Sequence, residues 1–123
     1  MTIKSSKTLV EEAMKQIKTL KLDEVSQLID KKSCTLIDVR DIREIQAEGG
    51  INEALHIPRG MLEFWLDPDS PYYKKIDQKY GKKTFVLFCG LGLRSALSVK
   101  TLQDMGFTDV AHVEGGYRKM AAS

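Results

Sequence analysis

Thr84-Phe-Val-Leu-Phe-Cys89-Gly-Leu-Gly-Leu-Arg94-Ser95 decides how this chain is read. Thr84 to Phe88 is a short apolar run with β-branched and aromatic residues, the pattern of a buried strand. A helix is expected from Arg94 onward. Between them lie Cys89 and two glycines, Gly90 and Gly92. A tight glycine-bearing turn from strand to helix lets successive N–H groups point inward, because glycine tolerates positive φ. The helix start adds unpaired N–H groups and a partial positive charge. Such a turn binds anions, and a cysteine at its lip is favoured as the reactive thiolate. The plain alternative is a buried structural cysteine acting as a small hydrophobe. A structural cysteine would not need the glycines, the arginine and the helix start that follow Cys89.

Working outward, the rest of the chain alternates strands with helices. Cys34-Thr-Leu-Ile-Asp-Val39 is nearly continuous in apolar and β-branched residues, which suits a parallel strand covered on both faces. Ala54 to Ile57 is a short strand ended by Pro58, Asp109 to Val113 a last strand, and Lys18 to Leu20 a short edge strand. Thr8-Leu-Val-Glu11 fits a capping box ahead of a helix carrying Leu9, Val10, Ala13, Met14 and Ile17. Asp23 is the expected cap of a second helix with Val25, Leu28 and Ile29 on its apolar face. Asp41 to Glu48 is helix-compatible until Gly49-Gly50, and Gly60 to Leu66 fits a helical turn. Ser70 as cap and Pro71 at the first position predict a further helix stopping near Gly81. The helix from Arg94 is expected to stop at Gly106, and Gly115-Gly116 to turn into a final helix over Tyr117 to Ala121. This alternation gives an α/β fold with a mostly parallel sheet. Ligands of such sheets sit beyond the carboxyl ends of the strands, where Cys89 falls.

The chain has 123 residues, 42% hydrophobic and 29% charged, which suits a single soluble domain. A net charge of +2, from basic residues spread along the chain, gives no argument for nucleic acid. No apolar run reaches the length of a membrane span. Met1 to Lys15 mixes lysines and acids without an apolar core, unlike a signal peptide. Two cysteines without an export signal point to free thiols in a reducing cytoplasm. The cysteines lie far apart in sequence and neither histidine lies near one, so no metal-ligand spacing exists.

Five segments together, in order, resemble the single-domain rhodanese family. Leu36-Ile-Asp-Val-Arg40 is similar to the family's strand ending in Asp-Val-Arg. Ala54-Leu-His-Ile-Pro-Arg-Gly60 is similar to its second motif, and Cys89 to Ser95 to its active loop. Met105-Gly-Phe-Thr-Asp-Val110 and Val113-Glu-Gly-Gly-Tyr117 resemble its closing strand and turn. Departures are Gly49-Gly-Ile51, where the family often has Gly-His-Ile, and Tyr117, where a tryptophan-bearing helix is usual. The resemblance implies a three-layer α/β/α fold around a sheet of about five strands, over residues 18–123. Residues 1–17 are then an N-terminal helical extension packed on the domain.

The resemblance also implies a sulfurtransferase. Cys89 would carry a sulfane sulfur as a persulfide, from thiosulfate or a persulfide donor to a thiol, or to cyanide in the test tube. No cofactor is implied beyond that covalent persulfide. Partners would be a small sulfur-containing anion or thiol and, in some settings, a protein donor or acceptor; neither nucleic acid nor membrane is implied. The binding loop would be Gly90, Leu91, Gly92, Leu93, Arg94 and Ser95. Arg94 has two readings, as a pointer to a bound anion or as a brace for the loop. Ser95 either donates a hydrogen bond to the thiolate or simply sits at the helix start. Arg59 either reaches the same mouth or is a solvated surface charge. Asp38 and Arg40 are expected to hold loops together, and His56 and His112 to be structural.

Three rivals stand beside this reading. A cysteine phosphatase uses a similar cradle but places five residues between cysteine and arginine; only four separate Cys89 from Arg94 here. A non-catalytic binding module of this family would lack the cysteine. A partner-dependent persulfide relay would use Leu91 and Leu93 as apolar contacts on an exposed loop. Cys34 begins its strand and Cys89 follows the end of another. A strand of that length spans roughly 17–20 Å, well beyond the reach of a disulfide.

Overall fold

The computed structural model describes residues 2–80 and 82–123. The helix stop expected at Gly81, and Met1 of the expected extension, lie outside the described residues. In chain order the elements are α1 (Ser6–Met14), β1 (Lys18–Leu20), α2 (Leu22–Asp30), β2 (Cys34–Asp38), α3 (Ile42–Glu48) and β3 (Leu55–His56). A 3-10 turn (Arg59–Met61) then leads into α4 (Leu62–Leu66), α5 (Ile76–Tyr80), β4 (Thr84–Phe88), α6 (Leu93–Met105), β5 (Val110–Val113) and α7 (Gly116–Ala122). Among the described residues the five strands form one sheet in the order β1-β5-β4-β2-β3, every pairing parallel.

The apolar runs of β2 and β4 are buried on both faces because successive side chains point to opposite sides. From β4, Phe85 and Leu87 join Val99, Leu102, Leu62 and Leu66 on the face covered by α4 and α6. Val86 and Phe88 join Val25, Ala111 and Val113 on the face covered by α2 and α7. The result is three layers, with β4 at the centre of the sheet. That position places the turn after Phe88 beyond the carboxyl end of the middle strand. Cys34 pairs with Thr84 at the opposite edge, so strand length alone keeps the two cysteines apart; both are free thiols.

Several expected boundaries move. The first helix is capped by Ser5, whose side chain accepts the Thr8 N–H at 3.0 Å, so it begins before Thr8 and ends at Met14. Its apolar stripe is also shallow: Ala13 is buried, but Leu9 and Met14 are exposed. The second helix begins at Leu22 rather than after an Asp23 cap. The Lys21 N–H donates to the Glu24 carboxylate at 3.1 Å, and that contact fixes the start one turn before the carboxyl group. Ser70 and Pro71 make a turn, not a helix. The Tyr72 N–H donates to Ser70 Oγ at 3.1 Å, and Lys75 then takes a left-handed φ of 59°, so helix forms only from Ile76.

Candidate active site

The sequence from β4 into α6 folds around the sulfur of Cys89. Gly92 is the N-cap of α6 with φ 100°, a left-handed conformation that favours glycine. That turn reverses the chain so the Gly92 N–H donates to Cys89 Sγ at 3.1 Å and the Ser95 N–H donates at 3.3 Å. Ser95 Oγ lies 3.5 Å from the same sulfur. Cys89 is only 1% exposed, so the sulfur sits deep in the cradle rather than at an open lip. Two backbone N–H groups thus converge on one sulfur, with the Ser95 hydroxyl beside it.

α7 closes the loop from the other side. The Tyr117 N–H donates to the Cys89 carbonyl at 2.7 Å, and the Arg118 N–H to the Gly90 carbonyl at 3.1 Å. This approach is possible because position 116 has no side chain. Behind Ser95 a further chain of polar groups runs through the sheet. Ser95 Oγ lies 3.1 Å from His112 Nδ1, and His112 Nε2 lies 2.9 Å from Thr19 Oγ1. His112 is buried, and burial pushes its pKa below the ordinary imidazole value, which favours the neutral ring.

Arg94 makes a two-pronged ion pair with Glu44 of α3, at 2.6 and 2.9 Å. Hydrogen bonding to the guanidinium holds the Glu44 carboxyl below the usual range. Arg94 therefore braces the loop against α3 in this structure. A cleft of about 190 Å³ lies beside the loop, lined by Glu44, Glu48, Gly90, Leu91, Arg94 and Tyr117 among others. Leu91 and Leu93 project into solvent, 54% and 56% exposed.

A profile of the rhodanese-like domain matches residues 21–123. The chain belongs to the rhodanese-like domain family. Among solved structures, this rhodanese-like domain is similar to a Rhodopseudomonas palustris protein of unknown function described as a possible tyrosine phosphatase. The two are 43% identical with a TM-score of 0.91, over 99% of this chain and 93% of that one. It is also similar to a human single-domain sulfurtransferase, 27% identical with a TM-score of 0.68, over 85% and 96% of the two chains. Among curated proteins it is 31% identical to the tRNA uridine(34) hydroxylase of Cronobacter sakazakii over 79% of this chain. That match spans only 26% of the relative's length.

Of the residues singled out in the sequence, the rhodanese-like domain gathers Gly92 and Ser95 onto the sulfur of Cys89. Gly90 and Arg94 form the braced wall, and Leu91 and Leu93 the apolar rim. Arg59 is directed elsewhere: it donates to Glu63 at 2.7 Å and to Thr101 at 3.2 Å, about two turns along α6 from Ser95. Its place at the mouth is not seen, because the i,i+4 carboxylate of Glu63 captures it. Arg40 is fully buried, pairs with Asp38 at 2.8 Å, donates to the Gly49 carbonyl at 2.9 Å, and stacks 3.9 Å over Tyr117. This pair ties the ends of β2, α3 and α7 together beneath the loop. Sequence reasoning left Glu44 and Thr19 unremarked and assigned His112 a structural place only. The one available signal for His112 was an ionisable ring in a fully buried four-residue strand, which requires partners.

Proposed function

We propose that this domain is a sulfurtransferase that carries sulfane sulfur as a persulfide on Cys89. The observation that supports this best is the pair of N–H groups from Gly92 and Ser95 directed at a single sulfur atom. In the first step the Cys89 thiolate attacks the outer sulfur of thiosulfate or of another persulfide. The S–S bond of the donor breaks, and the leaving group (sulfite, from thiosulfate) departs with the electron pair. In the second step an acceptor thiolate attacks the outer sulfur and Cys89 leaves as thiolate. The acceptor is a small thiol, or a protein thiol docking on Leu91 and Leu93. No resident cofactor is invoked, and a reducing compartment such as the cytoplasm suits two free thiols.

The test is intact mass after incubation with thiosulfate. The wild-type chain and Cys34→Ser should each gain roughly 32 Da, one sulfur atom, and Cys89→Ser should gain nothing. A gain that persists in Cys89→Ser would overturn the assignment.

A second reading is favoured by the Rhodopseudomonas palustris relative, whose description mentions a tyrosine phosphatase. A phosphoryl group must place three oxygens among N–H groups while phosphorus meets sulfur in line. Here Arg94 is engaged by Glu44, and Cys89 is only 1% exposed. Hydrolysis of an aryl phosphate, lost in Cys89→Ser, would establish that reading instead. The curated relatives' name refers to tRNA, but this chain spans about a quarter of their length. Its net charge of +2 offers no basis for direct nucleic-acid binding.

A further inference from the structure

The hydrogen-bonded chain behind the sulfur has no place in the two transfer steps as written, yet it ends on the group that contacts Sγ. Cys89 Sγ, Ser95 Oγ, His112 Nδ1 and Nε2, and Thr19 Oγ1 follow one another at 3.5, 3.1 and 2.9 Å across the three side-chain gaps. Ser95 and His112 are 0% and 1% exposed, while Thr19 is half-buried on the edge strand β1. We infer that His112 is a positioning residue for sulfur transfer, acting through Ser95. By taking a proton at Nδ1 from Ser95 while giving one at Nε2 to Thr19, it turns the Ser95 hydroxyl from an acceptor facing the thiol into a donor facing the thiolate and the persulfide. This rests on the sulfur-carrier reading for its purpose, though not for its test.

The proton count makes the arrangement explicit. With Cys89 as a thiol, S–H donates to Ser95 Oγ, Ser95 O–H donates to Nδ1, and Nε2–H donates to Thr19 Oγ1. With Cys89 as thiolate, Ser95 O–H donates to sulfur, Nδ1–H donates to Ser95 Oγ, and Thr19 O–H donates to Nε2. One arrangement becomes the other when each proton hops a single link and the original Thr19 hydroxyl proton passes to bulk water. Four protons become three, and the net loss equals the ionisation of the thiol, although the proton that leaves is the one from Thr19. The ring is neutral before and after, as its burial favours. No hydroxyl has to rotate, so the sulfur gains its donor without opening a loop that α7 holds shut. A persulfide anion needs the same donor arrangement as the thiolate. The elements packed on the ring are β1 through Thr19, α6 through Ser95, and β4 through Leu87. The titratable groups that bear on it are Cys89, through Ser95, and Glu114, two residues along the chain.

The experiment reads the ring nitrogens by NMR on the full chain in a Cys34→Ser background. His56 and His112 are the only histidines, and two-bond nitrogen–proton correlations distinguish Nε2–H from Nδ1–H. One arm loads sulfur with thiosulfate, with loading confirmed by mass. A second arm raises the pH until thiolate absorbance from Cys89 is complete, which needs no sulfur chemistry. The expected result is Nε2–H with the thiol and Nδ1–H with the thiolate, and Nδ1–H again in any loaded sample. In Cys89→Ser, whose hydroxyl does not ionise over that range, the tautomer should not change. Ser95→Ala should slow thiosulfate-dependent loading about a hundredfold, the lower end of the scale for losing one preorganised anion donor, and lower the thermal midpoint by leaving Nδ1 unpaired; the tautomer readout, which a merely structural role would not move, separates the two effects. An unchanged His112 tautomer while Cys89 ionises overturns the inference, whatever the sulfur arm shows. If the tautomer changes but thiosulfate and persulfide donors never load Cys89, the coupling of His112 to the Cys89 charge stands and the sulfur-carrier reading fails.

Discussion

A Cβ added at Gly116 would lie 2.5 Å from the Cys89 carbonyl oxygen and 2.8 Å from the Gly90 carbonyl group, with φ at +64°. Both the backbone conformation and the space exclude a side chain there. Gly116→Ala is expected to cost roughly 1–3 kcal/mol, the usual scale for local backbone strain. Thermal denaturation should show a midpoint several degrees lower, and loading of Cys89 should fall too, because the strain lands on the loop carbonyls. Gly60→Ala is the comparison: nothing lies within 4 Å of its Cβ position and its φ is not in the left-handed region. Equal midpoints for the two variants would show that α7 does not rest on the loop as described. At this scale the sequence announced Cys89, Gly92 and Ser95 by their order along the chain. It could not announce His112, whose partners Thr19 and Ser95 lie 93 and 17 residues away and meet it only through the strand order. Nor could it direct Arg59, since Glu63 and Thr101 compete for its guanidinium.

Between elements, the loop is held by α6 starting where it does and by α3 reaching it through Glu44. One residue inserted between Gly92 and Leu93 would displace the start of α6 relative to Cys89. The Ser95 N–H and hydroxyl would leave the sulfur, and Arg94 would lose its register with Glu44. Sulfur transfer to cyanide should fall at least about a hundredfold, on the scale of losing one preorganised donor. Stability should change less, because the Arg94–Glu44 pair is partly exposed and such pairs are worth about 1 kcal/mol or less. Transfer that survives the insertion would mean that loop length does not set the cradle. The elements themselves were legible where apolar runs and glycines agreed, as in β2, β4 and the stop of α6 at Gly106. Helix starts were less so. Ser5 and Thr8 both offer caps, Lys21 closes its helix through a Glu24 three residues on, and Lys75 interrupts the helix that Ser70 and Pro71 promise.

For the molecule as a whole, acid should act in two stages. Burial lowers the pKa of His112 in the fold below its value of about 6.5 in the unfolded chain. The unfolded chain therefore binds the proton first, so this contribution is complete above about pH 6.5 and is lost as pH falls below it. Asp41, pulled down to about 2 by its hydrogen bonds with Arg43, and Glu44, lowered by Arg94, follow the same sign in a lower window. Their contributions are present above the ordinary carboxylate range and are lost as pH falls from that range to the lowered values, about 2 for Asp41. Denaturant midpoints measured from pH 8 to pH 3 should fall in both windows, and His112→Gln should flatten only the upper one. An unaltered upper window in that variant would remove His112 as its source. The parallel register of β2 and β4 has a kinetic consequence of its own. With Cys34 level with Thr84 and Cys89 past Phe88, no thiol of the same chain can reach a sulfur held on Cys89. On the proposed sulfur-carrier reading, discharge would be second order: the loaded lifetime would lengthen as the acceptor is diluted, and the cargo would stay in place until another molecule arrives.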